Sequence, residues 1–164
     1  MLDRRPRGGA ALLGAVALLL SGCAPVVALD AAADATTTGC AEVSARLPDS
    51  LGDGTGAVID RRETSAQATA AWGSPATVLL RCGVEPPAAD PTCVEISGVA
   101  WIRDASDAPR YRFVTFGRTP ATEVVVDGDR ASGSTVLLDL VPALSALPAS
   151  DERRCTDLAD VPAP

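Results

Sequence analysis

A chain of 164 residues, 47% of them hydrophobic, suits one folded domain with tails and is too short for two separately cored domains. Thirty of the apolar residues are Ala and only five residues are aromatic, so a core has to be built from Val, Leu and small side chains. All 14 basic residues are Arg, His and Lys are absent, and 21 acidic residues give a net charge of −7; this excludes Ser-His-Asp, Cys-His and Ser-Lys catalysis, Schiff-base chemistry and His-ligated metals, and it argues against nucleic acid as a partner.

The N-terminus carries a targeting signature. Arg4, Arg5 and Arg7 precede an apolar run from Ala10 to Leu20, too short to span a bilayer, which needs about 20 helical residues. Leu20-Ser21-Gly22-Cys23 follows and resembles a bacterial lipobox, in which the Cys is acylated and becomes the mature N-terminus. Residues 1–22 are therefore expected to be a lipoprotein signal peptide and Cys23 the lipid anchor, on the extracytoplasmic face of the cell membrane. The remainder has 11 Arg and 20 Asp or Glu, net −9. Such a body should not adsorb to anionic lipid by itself, so membrane association is expected through the acyl chains of Cys23. Residues 23–38, rich in Ala, Thr and Asp, are expected to be a flexible tether, followed by a domain over 39–158 and a tail over 159–164.

Cys40, Cys82, Cys93 and Cys155 remain, an even number in an exported chain, and two disulfides are the default. Three pairings exist. A turn-rich connector between two strand-like segments favours Cys82–Cys93 across a hairpin, which leaves Cys40–Cys155 to tie the first ordered element to the last.

Cys40, Val43 and Leu47 repeat at helical spacing ahead of Pro48, predicting a short helix over about 40–47. Asp49 to Gly56 reads as a loop. Asp49, Asp53, Gly54 and Asp60 fall at calcium-loop positions, but Leu51 stands where an oxygen ligand belongs. Strand signals follow at Thr77–Arg81, Val94–Ile96, Gly98–Arg103, Tyr111–Phe116 and Ala121–Val126. Ser134 then caps an apolar stripe of Leu137, Leu140, Val141 and Leu144, a second helix expected to kink or split at Pro142. The expected fold is α+β: a single small domain with a four- or five-stranded antiparallel sheet and two short helices on one face.

Aromatic and Arg residues coincide within the predicted sheet. Trp72, Trp101 and Tyr111, with Arg118 held in a turn after a strand, form the candidate ligand site, Arg118 offering a planar fork to a carboxylate. The alternative is that the aromatics are core and Arg118 bonds loop carbonyls. No residue type or spacing nominates a catalytic group, a metal or a cofactor.

Trp72-Gly73-Ser74-Pro75, Leu80-Arg81-Cys82-Gly83-Val84, Gly98-Val99-Ala100-Trp101 and Thr115-Phe116-Gly117-Arg118-Thr119-Pro120, in this order behind a lipobox, resemble the actinobacterial lipoprotein family catalogued as domain of unknown function 3515. Phe116 stands where that family is expected to carry Tyr. The resemblance implies an exported envelope protein without assigned activity. The functional expectation is a non-catalytic binding or accessory module for an envelope protein or cell-wall ligand; the alternative is a small carboxylate-based hydrolase acting on cell-wall glycan, marked by a Glu/Asp pair in a cleft beside Trp72 or Trp101.

Overall fold

The computed structural model describes residues 25–150 and 154–155. The segments expected to be a signal peptide over 1–22 and a tail over 159–164, and the expected anchor Cys23, lie outside the described residues. Helix α1 (Thr38–Arg46) is followed by strands β1 (Ser50–Gly52), β2 (Val58–Arg62), β3 (Thr69–Trp72), β4 (Val78–Val84), β5 (Cys93–Ile96), β6 (Val99–Asp107), β7 (Arg110–Phe116) and β8 (Ala121–Asp127), then helix α2 (Gly133–Leu144). The strands form one antiparallel sheet in the order β1-β2-β3-β4-β8-β7-β6-β5, curved as a half-barrel.

Eight strands replace the four or five expected. The three that lack a sequence signal are adjacent. β1 is three residues long. β2, Val-Ile-Asp-Arg-Arg, is largely exposed and carries no apolar alternation. β3, Thr-Ala-Ala-Trp, is buried on both faces, and its small side chains hide the period of two.

Local chemistry sets the helix ends. The Thr37 hydroxyl accepts from the Cys40 amide at 3.4 Å and caps α1, and Pro48 lies just past its end. Helix α2 runs unbroken through Pro142, contrary to the expected kink or split. Pro142 sits two residues before the helix ends, so its missing amide removes a bond only from the last turn. Both helices join one cluster with the sheet: Cys40, Val43 and Leu47 of the α1 region, Val136, Leu137, Leu140 and Leu144 of α2, and Trp72, Val78, Leu80, Trp101, Val124 and Val126 of the strands. The two Trp side chains are the largest fully buried ones, supplying bulk that an Ala-rich chain lacks. The Gly52 amide donates to Asp139 Oδ2 at 2.8 Å, tying β1 to α2.

Both expected disulfide pairings are corrected. The bridges are Cys40–Cys82 and Cys93–Cys155, with Cα separations of 5.5 and 5.4 Å. Cys82 and Cys93 do not face each other because residues 85–92 are no hairpin turn. They carry the chain from the middle of the sheet to its edge, and β8, β7 and β6 stand between β4 and β5. Helix α1 instead packs on β4, where Cys40 meets Cys82, and the C-terminal segment crosses to the edge strand β5.

The flexible tether is corrected as well. From Pro25 the chain is bound to the body. Arg62 Nη2 donates to the Pro25 carbonyl, the Val27 amide to the Glu63 carbonyl and the Ser65 amide to the Val27 carbonyl at 2.9 and 3.0 Å, and the Leu29 amide to Ser65 Oγ at 3.0 Å. Further on, the Asp34 amide donates to the Gly83 carbonyl at 3.0 Å. Gly83 has φ +92°, and a Cβ there would lie 2.4 Å from the Asp34 carbonyl carbon and 2.5 Å from the Ala35 nitrogen. Gly83→Ala is expected to cost about 3 kcal/mol, from backbone strain plus displacement of residues 34–35. Denaturant unfolding gives the loss, and accelerated exchange of the Asp34 amide locates it.

Candidate functional site

The four residues expected to form a ligand site are not brought together. Trp72 and Trp101 are 0% exposed. Trp72 Nε1 donates to the Pro48 carbonyl at 3.2 Å, whereas Trp101 Nε1 and Thr122 Oγ1 are buried with no partner among the described residues. Tyr111 is half-buried at the start of β7, with the Arg103 guanidinium 4.9 Å above its ring. Arg118 lies beyond the other end of that strand, about 23 Å along the chain at strand spacing. None of the three aromatics walls an Arg118 site.

Arg118 is 7% exposed. Its Nη1 donates to the carbonyls of Leu144, at 3.4 Å, and Leu147, and its Nη2 to the Gly98 carbonyl at 3.1 Å. One side chain thus gathers the end of α2, the β5–β6 turn and its own β7–β8 turn. This is the carbonyl-bonding alternative raised from the sequence. Burial lowers the guanidinium pKa from its ordinary value, yet Arg remains a cation in any protein. Among the described residues it has no carboxylate partner.

The same guanidinium lines a cavity of about 270 Å³ together with Glu95, Gly98, Ala100, Phe116, Ala149, Ser150 and Arg154. The wall is built by the C-terminal segment. Arg118 and Ala149 form an antiparallel bridge, the Ser150 amide donates to the Gly117 carbonyl at 2.7 Å, and the Cys93–Cys155 bond holds the following turn on β5. Beneath it, Phe116 and Ala100 form a small apolar cluster with Cys93, Ile102 and Cys155 on the sheet face opposite the main core. Parity was the available signal. Phe116 alternates with Tyr111, Phe113 and Thr115, so it had to leave their face. Glu95, Ser150 and Arg154 carried no comparable mark.

The cavity offers two guanidiniums, one carboxylate and small or apolar walls. Its volume is below the range of drug-sized pockets, roughly 300–1,000 Å³, so it fits a small group or the end of a chain. Glu95 is its one carboxylate among the described residues. Three carboxyls elsewhere, Asp53, Asp90 and Asp104, lie below the usual carboxylate range. The Thr55 amide acts first on Asp53, the Thr92 hydroxyl on Asp90 and the Ser106 amide on Asp104. Each accepts from a residue two positions on, which is turn chemistry. A second polar cluster on this sheet face is an ion-pair set, Arg81–Glu123 at 2.8 Å and Arg112–Glu123 at 3.5 Å, in which Glu123 is buried and satisfied.

The sequence profile of the family described as Protein of unknown function (DUF3515) matches residues 10–152. No curated protein and no solved structure matches the chain.

Proposed function

We propose that this chain, which belongs to the DUF3515 family, is a lipid-anchored extracytoplasmic envelope protein that works as a non-catalytic binding module, presenting the Arg118 cavity to a carboxylate of a protein or cell-wall ligand. The observation that carries this reading is a buried guanidinium whose partners among the described residues are all carbonyls, lining a cavity beside a second Arg. A cation in that position favours an incoming anion, because the site is already largely desolvated and its donors are fixed. Two disulfides suit an oxidising compartment. The hydrolase alternative has less support, since it needs two carboxylates about the scissile bond and among the described residues the cavity supplies Glu95 alone, beside no exposed Trp.

Crosslinking and pull-down from intact cells test the site. Arg154→Ala, compared with wild type at a temperature where the melting curve shows both folded, should weaken capture by roughly tenfold or more, the worth of a charge-assisted hydrogen bond of about 1.5–3 kcal/mol; unchanged capture would overturn the site. The anchor has its own test. Cys23→Ser should abolish membrane retention and leave the precursor uncleaved before residue 23, and equal partition of variant and wild type after detergent extraction counts against lipidation.

A further inference from the structure

We infer that the body lies directly against its own bilayer, with the surface around Pro25, Arg61 and Arg62 at the level of the phospholipid headgroups. The inference rests on the proposed lipidation of Cys23, and three observations carry it further. A free tether over 24–38 would let the domain stand roughly 50 Å from the membrane when extended. The bonds that fix Pro25, Val27 and Leu29 to Arg62, Glu63 and Ser65 leave two chain steps, about 7 Å, between Cys23 and a residue attached to the body. An acylated Cys23 has its chains in the membrane, so Pro25 is held at the headgroup layer.

The second observation is what surrounds Pro25. Val26 is 57% exposed, and next to it a polar cavity of about 460 Å³ is lined by Asp49, Arg61, Arg62, Glu63 and Thr64. Two Arg and two carboxylates give this patch no net charge, whereas the chain from Cys23 onward is at −9. It is therefore a surface that can approach an anionic leaflet without the repulsion the acidic body would otherwise meet. Arg61 is exposed and makes no ion pair among the described residues, which suits it to a headgroup phosphate.

The third is the position of the Arg118 cavity. Its Gly98 edge joins β5 to β6, and five strand spacings separate β6 from β2 in the sheet, about 24 Å along its surface. The sheet is thus the spacer that the N-terminal segment is not, and the ligand cavity lies at the far end from the anchor.

The test uses the mature lipidated protein in phosphatidylethanolamine–phosphatidylglycerol vesicles containing a headgroup-nitroxide lipid. A fluorophore is placed on Glu63→Cys or on Glu95→Cys, both exposed positions. Quenching should be several-fold stronger at position 63 than at 95. A Gly-Ser insertion of roughly ten residues after Ala24 should bring position 63 down to the level of 95, and Arg61→Glu should move it part of the way. Equal quenching at the two positions, or an insertion without effect, overturns the apposition while leaving the anchor standing. Failure of the labelled protein to stay with the vesicles overturns the anchor at Cys23 and this inference with it.

Discussion

Cys40→Ser/Cys82→Ser should lower stability by about 4 kcal/mol, the chain-entropy value for a bridge closing 42 residues, and lower the midpoint of a thermal melt by roughly 12–20 °C for a domain of this size. Both residues are 0% exposed and belong to the main core, so the bridge joins two elements that remain packed when it is cut, and the loss falls on global unfolding. The Cys93–Cys155 bridge closes a longer loop, 62 residues, and by loop length alone Cys93→Ser/Cys155→Ser should cost slightly more. It should cost less. Cys155 lies in a terminal segment and is only half-buried, so the freed segment regains motion in the folded protein and offsets much of the gain to the unfolded chain. Differential scanning calorimetry of the two double variants under oxidising conditions decides between loop length and position; a larger loss for the 93–155 pair would show that the C-terminal segment belongs to the cooperative unit.

Arg118→Ala should cost about 3 kcal/mol, because three carbonyls in two separate turns and at a helix end lose a charged donor and the space left behind is only partly open to water. Arg118→Lys should recover less than half of that. An ammonium has donors enough, but it lacks the planar fork that reaches Leu144, Leu147 and Gly98 together. Denaturant unfolding gives the stabilities, and capture by each variant is then compared at a temperature where all are folded. Lys retaining capture while remaining destabilised would assign Arg118 a supporting role and leave recognition to charge alone. Lost stability with full capture in the Ala variant would retire the cavity as a binding site.

Where the sequence carried a period it placed the element: β4 and β7 alternate in sequence, and both helices show an apolar stripe. What it concealed follows from physical causes. β2 is an exposed strand with a charged run, stabilised by its neighbours through backbone bonds that leave no apolar mark. The disulfide partners depended on which strands lie side by side, and the link from β4 to β5 passes over three strands without any local sign that it does so. The N-terminal segment looks unstructured because it is held mainly through backbone amides and carbonyls, which are the same for every residue type. Arg118 was singled out by its place in a turn, and its carbonyl partners were anticipated in kind; its neighbours were not, because Ser150 and Arg154 arrive from the far end of the chain.

The two disulfide loops do not overlap. One closes residues 40–82 and contains α1 from Cys40 together with β1 to β4 up to Cys82; the other closes 93–155 and contains β5 to β8 and α2. In the sheet these are two four-stranded meanders meeting at the β4–β8 ladder, and across that seam the ties among the described residues are non-covalent, among them the ladder itself, the Arg81–Glu123 pair, the Gly52–Asp139 bond, the Ser132–Asp53 and Asp127–Thr77 backbone bonds and the contact of the two helices. The remaining link is the mostly exposed, proline-rich stretch 85–92. A single cut there turns one polypeptide into two separately ring-closed fragments that stay associated in native buffer and part on denaturation without any reductant. The fold is, in effect, a pre-divided complementation pair, and its halves should be expressible apart and reassemble through the seam.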